Sequence, residues 1–169
     1  MDIVILNKSR LTDAEGYKIA HAVRQILPVF CKDWGVPIPS IRYISKTEFF
    51  FSKTAIQVRI EDTFGASAYH SFIQDTPFAV IHYRSTHCVS VAVCHEIFEL
   101  VLNPKLDKCI AGYPLEICDP VTKNSVMVGD VAMSDWVLPS WFSHGSPPYN
   151  HLNTLTAPFS LSPGGYIHK

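Results

Sequence analysis

One stretch, VSVAVCHEIFELVLNP (89–104), constrains the fold more than any other part of the chain. It is almost continuously apolar, yet it carries His95, Glu96 and Glu99 in its middle. We expect residues 87–102 to form a helix that ends at Asn103-Pro104, because a residue before proline disfavours helical geometry. A helix that is apolar nearly all round is buried. The sequence therefore predicts a buried helix with three titratable side chains.

These three side chains share one arc of the predicted helix. Each residue advances by about 100°, so Glu99 lies about 40° and Glu96 about 100° from His95. Burying a lone charge is costly, and one divalent cation would compensate all three groups. His95 and Glu99, at i and i+4, can hold the same ion. Glu96 would then be the general base that activates water, as in H-E-x-x-H metallopeptidases.

The ligand types bear on the metal. Glu99 stands where the second histidine of H-E-x-x-H would be, and it is still a competent zinc ligand. We expect Zn²⁺ first, while a histidine with carboxylates is a harder set that also suits Mn²⁺, Ca²⁺ or Mg²⁺.

Two other interpretations of the helix remain open. A histidine and two glutamates are often the solvated face of an ordinary helix, and this short pattern arises often by chance. Alternatively, Glu96 and Glu99 could pair with Arg59 or Arg84, although a buried ion pair costs much of what it gains. The apolar surroundings favour the metal over both.

A third ligand is expected from LEICDPV, which carries Glu116 and Asp119. In a strand these two side chains would face opposite sides, so only one could be a direct ligand. Both could reach the ion if the segment turns, which Pro120 permits. Tyr113 is a candidate for stabilising an oxyanion, and Asp135 for accepting a hydrogen bond from His95.

Further side chains could coordinate a metal. Among the histidines we expect His82 to be an ordinary strand residue, and His144 and His151 to lie in loops. Cys94 lies about 100° behind His95 and is expected in the core. The full set of additional candidates is His70, His82, His87, His144, His151, Cys94 and Cys118.

The order of the elements predicts an α+β fold, a small mixed sheet packed on two main helices, in one domain over 1–169. The first helix should begin after Thr12, with Glu15 at capping-box spacing, end or kink at Pro28 and close at Gly35. We expect the sheet and the polar helix in 1–104, the other ligands in 105–142, and an irregular Pro- and aromatic-rich wrap over 143–169. Strands are expected at 2–7, 41–46, 55–61, 78–84 and, more weakly, 67–75.

Composition excludes several classes of function. The net charge is −1, which provides no basic field for nucleic acid. No uncharged apolar run reaches about 18 residues, so no membrane helix is expected. The chain has five cysteines without a C-x-x-C pair and starts with MDIVILNKSR, unlike a signal peptide. We expect reduced thiols and synthesis in a host cytoplasm.

The helix is followed by EICDPV, MSDWVLPSWF and APFSLSPGGY, and preceded by a strand-helix unit ending in Asp33-Trp34-Gly35. Together these segments resemble uncharacterised bacteriophage and bacterial proteins that look like variant zincins with an H-E-x-x-E helix. The resemblance implies a zincin-like fold with His95, Glu96 and Glu99 in the active-site helix, and Glu116 and Asp119 as the downstream acidic pair. The chain departs from that family at Cys94, where Ser is usual, and at Asn103, where Asp is usual.

Two functions are expected. The first is a zinc-dependent, metallopeptidase-like hydrolase acting on a peptide. The second is a bacteriophage structural or assembly protein, located in the virion with other phage proteins as partners, that keeps the fold without catalysis. The low charged fraction of 17%, twelve prolines and an aromatic-rich end motivate the second function. A metal could then act as a staple.

Overall fold

The structure is a computed structural model that describes residues 1–63 and 68–167. Its helices and strands, in chain order, are β1 (Asp2–Lys8), α1 (Asp13–Trp34), β2 (Ser40–Ile44), β3 (Ile56–Glu61), β4 (Ala68–Ile73), β5 (Thr76–His82), α2 (Thr86–Leu102), β6 (Cys109–Ile110), β7 (Tyr113–Pro114), β8 (Ser125–Val128) and β9 (Val131–Ser134). Two 3-10 turns cover Asp119–Val121 and Pro139–Phe142.

The first five strands form one mixed sheet in the order β2-β1-β3-β5-β4. Neighbouring strands are parallel except β4, which runs antiparallel to β5 and forms one edge. The central strand β1 is buried over residues 3–7, as expected for a parallel strand covered on both faces. This sheet with two main helices confirms the α+β prediction, and the weakly predicted 67–75 strand is the edge strand β4.

Helix α1 begins after Thr12, as the sequence predicts, and runs through Pro28 to Gly35. The side chain of Thr12 accepts a hydrogen bond from the backbone N–H of Glu15, and the side chain of Glu15 accepts one from the backbone N–H of Thr12. At the other end, Gly35 closes the helix in the left-handed region at φ 64°. Pro28 lies inside the helix and does not end it. The interior proline costs about 3 kcal/mol, but buried side chains on both sides of it, including Leu27 and Phe30, anchor the helix to the core.

Helix α2 confirms the prediction from the apolar stretch. Ser85 is its N-cap and accepts from the backbone N–H of Cys88. The helix packs against β5 of the sheet on one side and against β9 on the other. Phe98 stacks on Phe30 of α1 with ring centroids 4.1 Å apart. Because other elements cover α2 on more than one side, its apolar residues extend nearly around its circumference.

The C-terminal part of the chain is packed into the same core. The Trp136 indole donates to Asp33 at 3.1 Å, and the Trp141 indole donates to the backbone oxygen of Ser160 at 2.8 Å. Both rings are almost completely buried. Within the residues that the structure describes, no helix is long and apolar enough to cross a membrane.

Candidate metal centre

Three parts of the fold bring the candidate ligands together. Helix α2 contributes His95, Glu96 and Glu99, and the edge strand β4 contributes His70. The segment between β7 and β8 contributes Glu116 and Asp119, and it turns at Asp119–Val121 as Pro120 permits. We call these six residues the acidic cluster: His70, His95, Glu96, Glu99, Glu116 and Asp119.

Two carboxylates of the cluster meet at the imidazole of His95. His95 Nε2 lies 3.2 Å from Glu99 Oε2 and 3.2 Å from Asp119 Oδ1. The other Glu99 oxygen, Oε1, accepts from the backbone N–H of Cys118 at 3.1 Å, which orients Oε2. Two ligand atoms at about 2.0–2.1 Å from a tetrahedral zinc are about 3.3 Å apart. The distances from His95 Nε2 to Glu99 and to Asp119 therefore both fit a shared divalent cation.

His70 forms the other side of the cluster. Its Nδ1 lies 3.0 Å from Glu96 Oε2 and 3.6 Å from Glu99 Oε2. Its Nε2 faces Glu116 Oε1 at 3.8 Å and has no hydrogen-bond partner among the described residues. Glu99 Oε2 thus lies between two imidazole rings.

The cluster concentrates negative charge away from water. The exposed fractions of the side chains are 2% for Glu99, 3% for Asp119 and 6% for Glu96. In residues 1–63 and 68–167, no Lys or Arg forms an ion pair with Glu96, Glu99 or Glu116. Four carboxylates and two imidazoles so placed need a compensating positive charge.

Arg59, on strand β3, does not supply that positive charge to the cluster. Arg59 pairs with Glu61, with Nε 3.6 Å from Oε1, and its guanidinium lies over the ring of Phe78. The interpretation that Arg59 neutralises Glu96 or Glu99 is therefore wrong.

Protons are the alternative to a metal, and the pKa directions show where they are held. Burial alone would lower the pKa of His95, but Glu99 and Asp119 raise it well above its ordinary value. Burial would also lower the pKa of His70, but the carboxylates around the ring outweigh it and raise that pKa. Burial raises the pKa of Glu99 to about 8, although His95 partly offsets the effect. Without a metal, the cluster retains protons that a cation would displace.

The hydroxyl at this site is that of Tyr166. It donates to the Asp119 carboxylate, and burial together with that bond raises the pKa of the phenol. Tyr113, the predicted oxyanion stabiliser, packs instead on Phe159 and Trp141 with ring centroids 5.0 Å and 6.3 Å away. Tyr166 lines the cavity beside the cluster, whose described lining does not include Tyr113.

Two local features of the sequence point weakly to Tyr166 and His70. Tyr166 follows two glycines, and a Cβ at Gly165 would lie 2.0 Å from the backbone oxygen of Pro120, so glycine is needed where this segment crosses Pro120. His70 is buried between the outward-facing Tyr69 and Ser71 in β4, as strand alternation requires.

The remaining sequence candidates lie outside the cluster. Asp135 is fully buried, and its side chain accepts from Asn124 at 3.1 Å and Asn150 at 2.6 Å, so the structure gives it partners other than His95. His82 contacts Thr63, His144 faces Phe159, and His151 stacks on Trp136.

The buried cysteines are poor ligand candidates. Cys94 is fully buried in the core, as predicted, and burial raises the pKa of its thiol to about 12. Cys118 is close enough to His95 and Glu99 to share an ion with them. Burial, and then the charge of Glu99, raise the pKa of the Cys118 thiol well above its ordinary value. Neither cysteine therefore forms a thiolate readily in the metal-free protein.

Asn103 holds the segment that carries Glu116. Its side-chain oxygen accepts from the backbone N–H of Lys108 at 2.9 Å, and its amide nitrogen lies 3.4 Å from Glu116 Oε1. The residue is fully buried. An uncharged amide at this position donates to a carboxylate of the cluster, which an aspartate in its place would repel.

Two cavities reach the cluster. The larger, of about 490 Å³, is lined by residues of β4, of α2 and of the segment between β7 and β8, including all six members of the cluster. The smaller, of about 270 Å³, lies against His95 and Glu96 and is also lined by His87, Cys88 and Tyr166. The larger cavity falls within the size range of small-molecule and cofactor sites.

No protein-family model, curated protein or solved structure matches this chain. Its function therefore has to be inferred from the side chains at the site.

Proposed function

We propose that this chain is a zincin-like protein that binds a divalent cation through His95, Glu99 and Asp119, and that it is a metal-dependent hydrolase. The observation that carries the proposal is the approach of His95 Nε2 to two carboxylate oxygens, each at 3.2 Å, in a buried site rich in carboxylates. Of the two acids in LEICDPV, Asp119 is the third ligand, because Glu116 is directed to His70 and Asn103.

The donor set indicates which cations fit. One imidazole nitrogen and two carboxylates suit Zn²⁺ when a position is left open for water or substrate, and they also suit Mn²⁺. The cation supplies Lewis acidity, which polarises a carbonyl and makes water a better nucleophile.

Glu96 is the proposed general base. It belongs to the same helix as the ligands and lines both cavities, so its carboxylate is placed to take a proton from water. His70 holds Glu96 through the 3.0 Å contact between Nδ1 and Oε2. Tyr166 holds Asp119 in the same way from the C-terminal segment. The role of Tyr113 at an oxyanion stays a prediction.

A peptide is the substrate class that the geometry supports best. Ala68, Tyr69 and His70 of β4 line the larger cavity, and β4 is an edge strand with one side unpaired in the sheet. An extended peptide can add to such an edge by main-chain hydrogen bonds. Its backbone would then run beside Glu96 and His95.

Metal analysis and hydrolysis together test this function. We expect purified protein to contain zinc or another divalent cation, and His95→Ala and Asp119→Asn to lose it. Glu96→Gln should keep the metal and abolish hydrolysis of a peptide library. Glu61→Gln is the matched control, because Glu61 pairs with Arg59 outside the cluster. Unchanged hydrolysis in Glu96→Gln would contradict the assignment of Glu96.

A second candidate function, a bacteriophage virion or assembly protein without catalysis, is favoured by a different observation. The aromatic-rich end that motivates this function is largely packed into the core, but Phe49 and Phe51 are 93% and 72% exposed in the loop between β2 and β3. Exposed aromatic side chains of this kind are typical of interfaces.

Cosedimentation with particle proteins tests this candidate. A Phe49→Ser/Phe51→Ser variant should lose association while keeping its metal content. A wild-type protein that stays monomeric by light scattering, without binding to particles, would contradict it.

A further inference from the structure

His70 is the buried residue that a single cation at His95, Glu99 and Asp119 leaves unexplained. Its side chain is 3% exposed, and Nε2 has no hydrogen-bond partner in the described part of the chain. Buried polar atoms are nearly always paired, so Nε2 calls for a partner, which can be a water, a ligand or an ion.

The contacts at Nδ1 determine what Nε2 can do. Two carboxylate oxygens, Glu96 Oε2 and Glu99 Oε2, lie within 3.6 Å of Nδ1, so this nitrogen is placed to donate to them. Nε2 is the nitrogen left for a cation, and it faces Glu116 Oε1 at 3.8 Å, a spacing that one cation between the two atoms can span. A metal-binding histidine is usually oriented in this way, with its second nitrogen donating to a carboxylate.

We infer that the cluster binds a second divalent cation between His70 Nε2 and Glu116, beside the cation of the proposed function, on which this inference rests. Glu99 is placed to be shared, because its Oε2 lies 3.2 Å from His95 Nε2, and because ligand oxygens of Glu99, Glu116 and Asp119 all lie within 4.8 Å of one another. Asn103 orients Glu116 from behind at 3.4 Å.

The number of donor groups supports two cations. Two imidazoles and the four carboxylates of Glu96, Glu99, Glu116 and Asp119 lie in one cluster. A single tetrahedral cation uses three of these side chains and an open position, which leaves donors for a second one. Paired cations about 3.5–4 Å apart are a known arrangement for hydrolysis of amides and phosphoesters. An imidazole with carboxylates suits Zn²⁺ or Mn²⁺ at the second position.

Metal stoichiometry tests the inference. Metal-free protein is titrated with Zn²⁺ alone and freed of unbound metal, and its metal content is measured by inductively coupled plasma mass spectrometry. Wild type should bind about two equivalents, and His70→Ala and Glu116→Gln about one each. His21→Ala is the matched histidine control, since His21 is exposed on α1. Circular dichroism verifies folding, and Glu116→Gln provides the result if His70→Ala does not fold.

The outcomes separate the two proposals. If the wild type binds one equivalent of Zn²⁺, and this is unchanged in His70→Ala and lost in His95→Ala, the second site is overturned and the proposed function stands. If the wild type binds one equivalent of Zn²⁺ that is lost in both His70→Ala and His95→Ala, the second site is also overturned, because His70 would then belong to the first site. No bound metal in wild type overturns the proposed function itself. With Mn²⁺ alone, an exchange-coupled pair in the electron paramagnetic resonance spectrum supports the inference, and two uncoupled ions contradict it.

Discussion

At the scale of single residues, Glu99 connects the parts of the site. Its Oε1 accepts from the backbone of the ligand segment at Cys118, and its Oε2 lies near both His95 and His70. Burial raises its pKa to about 8, so ionisation is costly unless a cation is present. This one side chain therefore links helix α2, strand β4 and the 115–121 segment.

The substitution Glu99→Gln removes the charge of this side chain and keeps its shape. Glutamine keeps the volume and can still accept from Cys118, so we expect the fold to persist. Metal affinity should fall by more than the roughly 10–100-fold typical of changes to residues that only support ligands. Zn²⁺ titration calorimetry measures the effect, with Glu61→Gln as the control. Wild-type affinity in Glu99→Gln would exclude Glu99 as a ligand.

At the scale of elements, the C-terminal PGGY segment secures the turn that carries Asp119. Backbone bonds join Ser162 N–H to the Pro120 oxygen at 2.9 Å and Tyr166 N–H to the Asp119 oxygen at 3.1 Å. Gly165 permits this approach, because a Cβ there would meet backbone and not a movable side chain. The segment is thus part of the site's support.

Gly165→Ala should destabilise the protein and weaken the site together. Overpacking of this kind typically costs about 1–3 kcal/mol, and displacement of Tyr166 should also lower metal affinity. Gly145→Ala is the control, since its nearest contact is a side-chain oxygen at 3.1 Å. Urea denaturation and Zn²⁺ titration check both effects. Equal stability of the two variants would show that the segment does not press on Pro120.

In helix α1, a substitution at Pro28 should stabilise the protein. Pro28 is exposed within the helix and lacks the N–H that a continuous helix would use. Pro28→Ala should raise the free energy of unfolding by up to about 3 kcal/mol, reduced by about 1 kcal/mol through the more flexible unfolded chain. Urea denaturation beside Gln25→Ala, an exposed helical control, measures the gain. A loss of stability would mean that the proline geometry is required.

At the scale of the whole molecule, prediction from sequence succeeded where local rules govern. The capping box at Thr12, the alternation in the strands and the apolar circumference of α2 are local patterns, and they gave the α+β fold and the acidic residues. His70 and Tyr166 join the cluster through contacts distant in sequence, and Asp135 is bound by Asn124 and Asn150 through the packing of the C-terminal half. No periodicity encodes such contacts, because they depend on tertiary packing.

The stability of the metal-free protein should depend on pH in a direction opposite to ordinary acid denaturation. Glu99, His95 and His70 all have raised pKa values in the folded state, so the folded state binds more protons than the unfolded chain. Their contribution to stability is greatest at low pH and is lost as pH rises, for Glu99 between about 4.5 and about 8. Thermal denaturation of chelator-treated protein across this window checks the trend, and Glu99→Gln should flatten it. A metal-free protein whose stability rises throughout would contradict these protonation states.

The most direct test is the metal content of the protein as purified, measured by inductively coupled plasma mass spectrometry beside His95→Ala and Asp119→Asn. We expect bound divalent cation in the wild type and its loss in both variants, with chelation lowering the melting temperature of the wild type alone. A wild-type protein without bound metal, whose two variants remain folded and equally stable, would contradict it. The acidic cluster would then be compensated by protons, not by a cation.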